Sequence, residues 1–526
     1  MLIGDLVVHN AQAYGNRLGI VDETSWLTWK EVNGRANSLA NALLALGFNK
    51  GDRIAIVSEN CHQYAETFYA TAKSGIVLVP PNYRLRGKQL VYIINDAEPY
   101  GLIVQDKFCQ FVDPVLSELK SVKLLIGLGE GHNYPYDYET LVASYPSTEP
   151  EVEVNENDTI ILGYTSGTSG YSKGVPQTHK NRLSSSIPKC IHSCFTPDDS
   201  CLLSGPLFAV GAQLILFALT LSGCKIVTHH FTAKSFCELV ERERVTWYSI
   251  TPARYMLIKE YLKTAPRKYD LSSLNRMTMG GGQHCSGETL REIIDFFKVS
   301  CLGKEYAMTE TGCGYTNLWE HDAAAALSPA ATEREREKLE SVGKPMIGLK
   351  RRVVNEKGKD VPVGEVGELL WKGDSVMSGY WKKPELNQQV LKDGWFHSGD
   401  LARLDKDGNM YFVGRKDMMI KSGGLLVGPS EVEEAILKHP SVAEVAVIGI
   451  PDVKWGEAVK AVVVPVKGQV VTEDEIRQHC RKYLAGFQVP KSVDFVEVLP
   501  KHPGTGKVII SELQQRYTKG GSQPHR

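Results

Sequence analysis

The chain has almost no net charge and no long apolar run. Its 60 Lys and Arg residues against 61 Asp and Glu residues give a formal charge of −1 at pH 7. A balance this even recruits neither nucleic acid nor an anionic membrane surface, so an anionic ligand needs a local site. The most apolar stretch, 214–221, is too short to span a bilayer. Asp5, and the lack of a basic residue before an apolar run near the N-terminus, predict no signal peptide.

Paired cysteines are lacking as well. The 11 cysteines are scattered and no C-x-x-C motif occurs, which favours reduced thiols in a cytoplasmic compartment. Cys190, His192 and Cys194 lie close together, but no second ligand pair is near them and their spacing fits no common zinc site. We therefore expect these thiols to be structural. Together these absences predict a soluble cytoplasmic protein without a nucleic-acid partner or a membrane span, and they leave a homodimer open.

The length and the hydrophobic pattern predict a multidomain α/β enzyme. At 526 residues the chain is too long for one core, so we expect two or more domains. Short apolar runs alternate with helical patterns, as in a parallel sheet covered by helices on both faces. The predicted strands are 54–57, 76–79, 102–105, 159–162, 225–228 and 247–250, and the predicted helices include 61–74, 212–221 and 234–244.

The pattern changes in the last third of the chain. A small α+β unit follows a β-rich subdomain, and we place the domain boundary between 1–416 and 417–526. The alternation of Glu and Arg in segment 323–340 predicts a solvated surface helix, and a mobile lid is the alternative. Residues 519–526 are expected to fray. The strands predicted for the β-rich subdomain are 351–354, 368–371 and 409–414.

Two helix starts in the last unit carry the capping-box pattern. A capping box at Ser430 predicts a helix that stops at Pro440, and another at Thr472 predicts a helix that runs through about Leu484. Two strands are predicted between these helices, at 444–449 and 459–465.

The most informative stretch is 164–176, with the sequence YTSGTSGYSKGVP. Glycine lets backbone N–H groups turn toward an anion, hydroxyl side chains add donors, and Lys173 supplies a point charge for phosphate. The stretch is not a Walker A loop, because serine rather than glycine precedes Lys173. It predicts a phosphate cradle, with a polar surface turn as the alternative.

Further motifs add an aromatic ring, carboxylates, a guanidinium and a lysine. Glycines after an apolar strand allow a flat base to lie on the main chain. We predict Asp400 in a turn and Arg415 at the end of a strand. The motifs are Gly280–Gln283, Tyr306–Glu310, Trp395–Asp400, Tyr411–Arg415 and the loop Pro500–Lys507.

In order and spacing, these motifs resemble the adenylate-forming superfamily of acyl-CoA synthetases, nonribosomal-peptide adenylation domains and beetle luciferases. The resemblance extends from Thr28-Trp29 to Gly506-Lys507 and is greatest to a free-standing acyl-CoA synthetase. It implies a large N-terminal domain of layered sheets and helices with a β-rich subdomain, and a small mobile α+β C-terminal domain. It also implies a reaction in which a carboxylate attacks the α-phosphorus of ATP, and a thiol then displaces AMP from the acyl-adenylate.

The resemblance assigns roles to the residues around ATP. Attack of one anion on another needs charge neutralised in the transition state. Lys507 would contact the reacting oxygens in the first half-reaction, Thr309 would bond the α-phosphate, and Glu310 would hold Mg²⁺. The remaining contacts would come from Thr165, Ser166, Gly167, Thr168 and Lys173 for the β- and γ-phosphates, from Gly281, Gly282, Gln283 and Tyr306 for the adenine, and from Asp400 and Arg415 for the ribose.

The resemblance also implies a rotating C-terminal domain. Asp417 matches the family's hinge, where rotation between half-reactions would withdraw Lys507 and present a second surface. On sequence grounds alone, Asp417 predicts an exposed turn and Lys421 a solvated face. The residues that the resemblance places along the pantetheine tunnel of coenzyme A are Lys421, Ser422, Gly423 and Gly424.

The chain departs from the family pattern mainly around the acyl group. Ala307 stands where glycine is usual, and Ala209 stands where an aromatic residue or histidine often gates the carboxylate. Near the C-terminus we prefer Lys507 to Lys501 as the catalytic lysine, because glycine precedes it and a helix-like segment follows. The predicted acyl pocket comprises Ala209, Val210, Gly211, Ala307, Gly312 and Tyr315.

Small residues in this pocket predict room for a medium-chain, alicyclic or aromatic acid. No aspartate near 208–211 is present to bind an amino group, and no tryptophan at 206–213 or 306–316 shortens the pocket as in acetate-type enzymes. We therefore predict an AMP-forming acid–thiol ligase that uses ATP, Mg²⁺ and coenzyme A. A ligase that loads a carrier-protein pantetheine is the alternative, and a non-catalytic nucleotide-binding protein is the alternative of another class.

Overall fold

The described part of the chain divides into two compact units. The structure, a computed structural model, describes residues 1–165, 172–280, 287–312, 316–318, 328, 330–501 and 508–519. The first unit comprises 1–165, 172–350 and 371–396, and the second comprises 351–370 and the described residues from 397 onward. This division groups residues by packing and does not test a hinge, so the domain boundary at 416–417 stays a prediction.

The first unit contains two large mixed sheets. In one of them the strands are parallel except at one edge, where 174–178 runs antiparallel to 159–164. Its described strands, in spatial order, are Tyr136–Asp137, Leu124–Leu128, Gly101–Gln105, Arg53–Val57, Val77–Val79, Thr159–Tyr164 and Gly174–Thr178. The four strands predicted from the apolar runs in this part of the chain are confirmed.

The second sheet has a parallel centre and antiparallel edges. Its described strands, in spatial order, are Lys344–Pro345, Thr316–Leu318, Cys301–Tyr306, Arg276–Met279, Trp247–Ile250, Ser200–Leu203, Lys225–Thr228, Leu18–Val21 and Trp26–Thr28. The strands predicted for one parallel sheet therefore divide between two sheets. The strands at 225–228 and 247–250 belong to the second sheet, and the other predicted strands belong to the first.

Helices cover both sheets, and one shared core lies between them. That core joins apolar residues of both sheets to helices 29–45, 62–74 and 210–222. No helix among the described residues is both long and apolar enough to cross a membrane. The α-helices of the first unit are Ile3–Ala13, Trp29–Ala45, His62–Ser74, Gly87–Ala97, Cys109–Val112, Tyr138–Ser144, His179–His192, Val210–Ser222, Ala233–Glu243, Pro252–Thr264, Gly287–Phe297, Glu333–Glu337 and Pro384–Val390.

The segment 349–415 is β-rich, as predicted. Asp400 lies inside a strand, so its predicted place in a turn is wrong. Gly399 has φ +72°, a backbone conformation common in turns. Here it lies inside the strand, where a glycine often marks an irregularity. The strands of this sheet are Leu349–Val354, Gly367–Gly373, Trp395–Leu404, Leu391–Lys392 and Met410–Arg415.

The end of the second unit has its own sheet and helices. Helix 473–480 begins at the predicted Thr472 capping box but ends before Leu484. The Ser430 capping box is wrong, because the helix begins at Pro429 and Gly428 precedes it without a side-chain cap. The strands are Leu425–Val427, Ile420–Ser422, Gly456–Pro465, Val442–Asp452 and Ser492–Phe495, and the helices are Pro429–Leu437, Glu473–Cys480 and Ile510–Lys519.

Candidate active site

The predicted phosphate cradle begins and ends on two antiparallel strands. The backbone N–H of Thr165 donates to the Lys173 carbonyl at 3.0 Å, and the Lys173 N–H donates to Thr165 Oγ1 at 3.2 Å. These bonds close the base of the loop and place Lys173 at its end. Ser166, Gly167 and Thr168, which we predict to contact phosphate, lie outside the described residues.

The flanks of the loop are held by side chains of the same unit. The Tyr164 hydroxyl donates to Asp96 Oδ2 at 2.7 Å, and the Tyr92 hydroxyl donates to the Ser172 carbonyl at 3.2 Å. Burial and the hydrogen bond to Asp96 raise the pKa of Tyr164 well above its usual range, so its phenol stays protonated. The backbone also contributes, because the main-chain N–H of Trp381 donates to the Gly174 carbonyl at 2.8 Å.

Glu310, the predicted magnesium ligand, lies in a short 3₁₀ helix over 309–311. The Tyr380 hydroxyl donates to Glu310 Oε1 at 2.7 Å, and the Met377 N–H donates to the Glu310 carbonyl at 2.8 Å. No group of three or more His, Cys, Asp or Glu side chains in the described ranges could hold a metal by itself. A single oriented carboxylate suits Mg²⁺, which binds through one or two carboxylates and the phosphates of its substrate.

A buried hydrogen-bond network fixes the backbone of the segment Thr309–Gly312. Gln177 Nε2 donates to the Thr309 carbonyl at 3.2 Å. Arg182 is fully buried and donates to Gln177 Oε1 at 3.2 Å, to the Gly312 carbonyl at 3.4 Å and to the Val210 carbonyl at 3.4 Å. The network therefore joins the Thr309–Gly312 segment to the start of the helix at Val210. Sequence reasoning missed Gln177, Arg182 and Tyr380.

The predicted adenine-stacking residue, Tyr306, ends the strand 301–306. Its ring packs against buried Trp371, with ring centroids 6.1 Å apart and an angle of 22° between the planes. Packing on one side holds the ring in a fixed plane, as a stacking surface for a base requires. Gly281, Gly282 and Gln283 lie outside the described residues.

Two predicted acyl-pocket residues, Ala209 and Gly211, lie at the start of helix 210–222. Ala209 is the N-cap residue, and its carbonyl accepts the N–H groups of Ala212 and Gln213 at 3.0 and 3.2 Å. Among the described residues, no atom lies within 4 Å of a Cβ atom added at Gly211. No described residue therefore fills the space beside Gly211.

The other predicted pocket residues differ in their surroundings. Ala307 is exposed. Gly312 has φ +60°, and a Cβ atom added there would lie 2.9 Å from the Ser375 carbonyl oxygen, so a larger residue would strain this turn. Tyr315 lies outside the described residues.

In the second unit, Asp400 and Arg415 face each other on paired strands. The two residues are in register, and Arg415 Nε lies 3.0 Å from Asp400 Oδ1. Asp400 is buried, and its backbone N–H donates to Ser398 Oγ at 3.1 Å. The structure thus pairs the two residues that we predict to bind ribose, and it adds Ser398, a residue of the Trp395–Asp400 motif to which the sequence assigned no role.

The residues of the predicted hinge and pantetheine surface also lie in the second unit. Arg415 Nε is 3.8 Å from Asp417 Oδ1. Gly423 and Gly424, with φ +61° and +82°, form the tip of a hairpin between strands 420–422 and 425–427. Lys421 is exposed beside this tip, whereas Ser422 is buried.

The lysine loop is described only at its ends. Lys507 lies outside the described residues. Lys501 Nζ forms an ion pair with Glu444 at 2.7 Å, and Lys501 bridges to Val508 in an isolated antiparallel pair. An existing carboxylate partner makes Lys501 the weaker candidate for the catalytic lysine.

Comparisons with known proteins identify the family. A model of the AMP-binding enzyme family matches residues 7–381, and a model of the C-terminal domain of AMP-binding enzymes matches residues 431–507. The chain therefore belongs to the AMP-binding enzyme family. The predicted resemblance, the α/β fold class and the predicted enzyme class, an AMP-forming acid–thiol ligase, are confirmed.

Individual relatives are similar over nearly the whole chain. A feruloyl-CoA synthase of Amycolatopsis is 34% identical over 93% of this chain and 94% of its own length. A long-chain-fatty-acid–CoA ligase of Mycobacterium tuberculosis is 31% identical over 94% of this chain and 93% of its own length. The solved structure of o-succinylbenzoate CoA synthetase from Bacillus subtilis, with its acyl-adenylate intermediate, has a TM-score of 0.83 and 26% identity and covers 97% of both chains.

Proposed function

We propose that this acyl-CoA ligase activates a medium-chain, alicyclic or aromatic carboxylic acid through an acyl-adenylate and transfers the acyl group to coenzyme A, releasing AMP and pyrophosphate. The observation that carries the proposed size of the acid is the space at Gly211 that no described residue fills, at the start of the helix that the small residue Ala209 caps. The feruloyl-CoA synthase similarity supports aromatic acids as the first candidates to test.

The described residues suit this chemistry. Lys173 places a positive charge at the end of the phosphate loop, and Glu310 presents an oriented carboxylate for Mg²⁺. Mg²⁺, when bound, neutralises charge on the phosphates during attack by the carboxylate. Asp400 offers acceptors for ribose hydroxyls and lies in an ion pair with Arg415.

Coenzyme A is the proposed acceptor. Its supports are the CoA ligases among the relatives and the exposed Lys421 beside the Gly423-Gly424 hairpin tip. A carrier-protein pantetheine is the alternative. Purified enzyme with preformed acyl-adenylate, offered coenzyme A or a holo-carrier protein in parallel, separates the two by the rate of thioester formation.

A panel of acids tests the proposed substrate class. We expect ATP–pyrophosphate exchange with hexanoate, octanoate, cyclohexanecarboxylate, benzoate or ferulate, and much less with acetate or palmitate. The measurement is the specificity constant for each acid under one set of conditions. A preference for acetate or for palmitate over every acid of intermediate size contradicts the proposal.

A variant at the pocket links this preference to the structure. Gly211→Leu fills the space at this position, so we expect it to lower exchange about tenfold or more with the preferred acid and less with acetate, since a blocked pocket discriminates by size. Gly486→Leu is the matched control, because a Cβ atom added at Gly486 likewise meets no atom of the described residues within 4 Å and no predicted site residue lies beside it in sequence. Equal losses with all acids would show that Gly211 does not line the acyl pocket.

A further inference from the structure

One side chain contacts both residues to which we assign phosphate and metal binding. The Tyr380 hydroxyl donates to Glu310 Oε1 at 2.7 Å. The same ring lies under the Lys173 ammonium, with 4.9 Å from Nζ to the ring centroid. Tyr380 therefore stands between the end of the phosphate loop and the carboxylate expected to hold Mg²⁺.

Tyr380 is itself firmly held. It is 6% exposed. Its N–H donates to Asn387 Oδ1 at 2.7 Å, and Asn387 Nδ2 donates back to its carbonyl at 3.0 Å. The backbone N–H of the next residue, Trp381, donates to the Gly174 carbonyl at 2.8 Å. The phenol is thus anchored to the backbone that carries Lys173.

The contacts of Tyr380 suit a role in preparing the site for Mg²⁺ and ATP. A phenol that donates to one carboxylate oxygen fixes the plane of the carboxylate and leaves the second oxygen to accept a metal. A ring face attracts an ammonium without neutralising its charge. Glu310 accepts a hydrogen bond from the Tyr380 hydroxyl, and Lys173 lies over the Tyr380 ring. Tyr380 is therefore a neutral partner that both charged groups share.

We propose that Tyr380 is a positioning residue that orients Glu310 for Mg²⁺ and Lys173 for the β- and γ-phosphates before ATP binds. This inference rests on the proposed roles of Lys173 and Glu310 in the adenylation half-reaction. In this proposal the hydroxyl of Tyr380 orients Glu310 for the metal, and its ring orients Lys173 for the phosphates. Two substitutions at this one position therefore separate metal binding from phosphate binding.

The test compares Tyr380→Phe with Tyr380→Leu. Tyr380→Phe removes only the hydroxyl, so we expect the Mg²⁺ concentration for half-maximal pyrophosphate exchange to rise about tenfold, the effect of losing one hydrogen bond to a charged group. Tyr380→Leu also removes the ring face, so we expect a further rise in the KM for ATP. Thioester formation from supplied acyl-adenylate should stay within about twofold of wild type in both variants, since that step needs neither group.

Binding provides a readout that does not depend on turnover. Calorimetric titration with α,β-methylene-ATP at several MgCl₂ concentrations should show weaker Mg²⁺-dependent binding in Tyr380→Phe. Tyr134→Phe is the matched control, because the Tyr134 hydroxyl donates to Asp113 Oδ1 at 2.6 Å and no predicted site residue is near either residue in sequence.

The outcomes are distinct. Unchanged Mg²⁺ dependence in Tyr380→Phe overturns the inference, and so does an equal loss in both half-reactions, which indicates a purely structural role. If the wild-type enzyme exchanges pyrophosphate with none of the acids, the proposed function fails. The calorimetric titration then still decides the role of Tyr380.

Discussion

At the scale of single residues, Glu433 carries the clearest pH-dependent effect in the second unit. Its Oε1 accepts the Val447 N–H at 2.9 Å. Burial raises the pKa of Glu433 to about 7, and the hydrogen bond from Val447 opposes this only in part. The unfolded chain ionises near the ordinary value of 4.5, so the folded state binds more protons between these two pH values. The free energy of unfolding therefore falls as pH rises through this window.

Glu433→Gln should remove this effect. The Gln oxygen can keep the hydrogen bond from Val447 without bringing in a charge, so we expect the variant to be more stable than wild type near pH 8 by on the order of 2 kcal/mol. Near pH 4, where the carboxyl is mostly protonated in both the folded and the unfolded wild type, the two should agree within about 0.5 kcal/mol. Urea unfolding at both pH values measures the difference.

The control for Glu433 lies on the same helix. Glu431→Gln changes the net charge by the same amount at an exposed position, so its stability should change little and without the same pH dependence. A Glu433→Gln variant that is no more stable than wild type near pH 8 would show that the carboxylate is well solvated.

At the scale of elements, the end of helix 62–74 depends on backbone geometry that only glycine adopts easily. Gly75 has φ +68° and closes the helix before strand 77–79. A Cβ atom added at Gly75 would lie 2.9 Å from Lys50 Cγ, and Lys50 is held in an ion pair with Asp158 at 2.8 Å. Both backbone strain and crowding therefore oppose a side chain here.

Gly75→Ala should destabilise the first unit by about 1 kcal/mol for the backbone and by more for the contact with Lys50. Gly51→Ala isolates the backbone contribution, since Gly51 has φ +89° and a Cβ atom added there meets no atom within 4 Å in the described part of the chain. The comparison of their thermal unfolding midpoints is the measurement. Equal midpoints for the two variants would show that Lys50 moves aside without cost.

Elements also show where local sequence signals compete. Thr472 caps its helix as predicted, whereas Ser430 does not. Pro429 explains the difference, because proline has no N–H and suits the first helical position, so the helix begins at Pro429 and its N-cap is Gly428. A side-chain pattern thus predicts a cap only when no stronger backbone constraint lies next to it.

At the scale of the whole molecule, the two half-reactions should depend on different residues. We expect Lys507→Ala to lower adenylation by at least about a hundredfold, because positive charge at the reacting oxygens is lost. Thioester formation from supplied acyl-adenylate should stay close to wild type, since the proposed rotation at Asp417 withdraws the lysine. Pyrophosphate exchange and single-turnover thioester formation measure the two steps.

Lys501→Ala is the matched control for Lys507. Lys501 pairs with Glu444 on an exposed surface, and exposed pairs contribute little, so both half-reactions should survive. Loss of adenylation in Lys501→Ala, with normal adenylation in Lys507→Ala, would reverse the assignment of the two lysines.

The candidate site was predictable only in part, for a physical reason. Thr165, Lys173 and Glu310 stand in local motifs whose glycines and polar side chains are visible along the chain. Tyr380 and Arg182 carry no such signal, because their partners Glu310 and Gly312 are 70 and 130 positions away. Hydrogen bonds between distant segments follow from packing, which one-dimensional patterns do not record.

The sequence by itself determined the family, the α/β class and most strands, because these depend on residue type and on short-range periodicity. The tertiary structure decided what depends on distant contacts. It separated the strands into two sheets, placed Asp400 on a strand opposite Arg415, and set Tyr380 against both Lys173 and Glu310. Burial and pairing at these positions arise only when remote parts of the chain pack together.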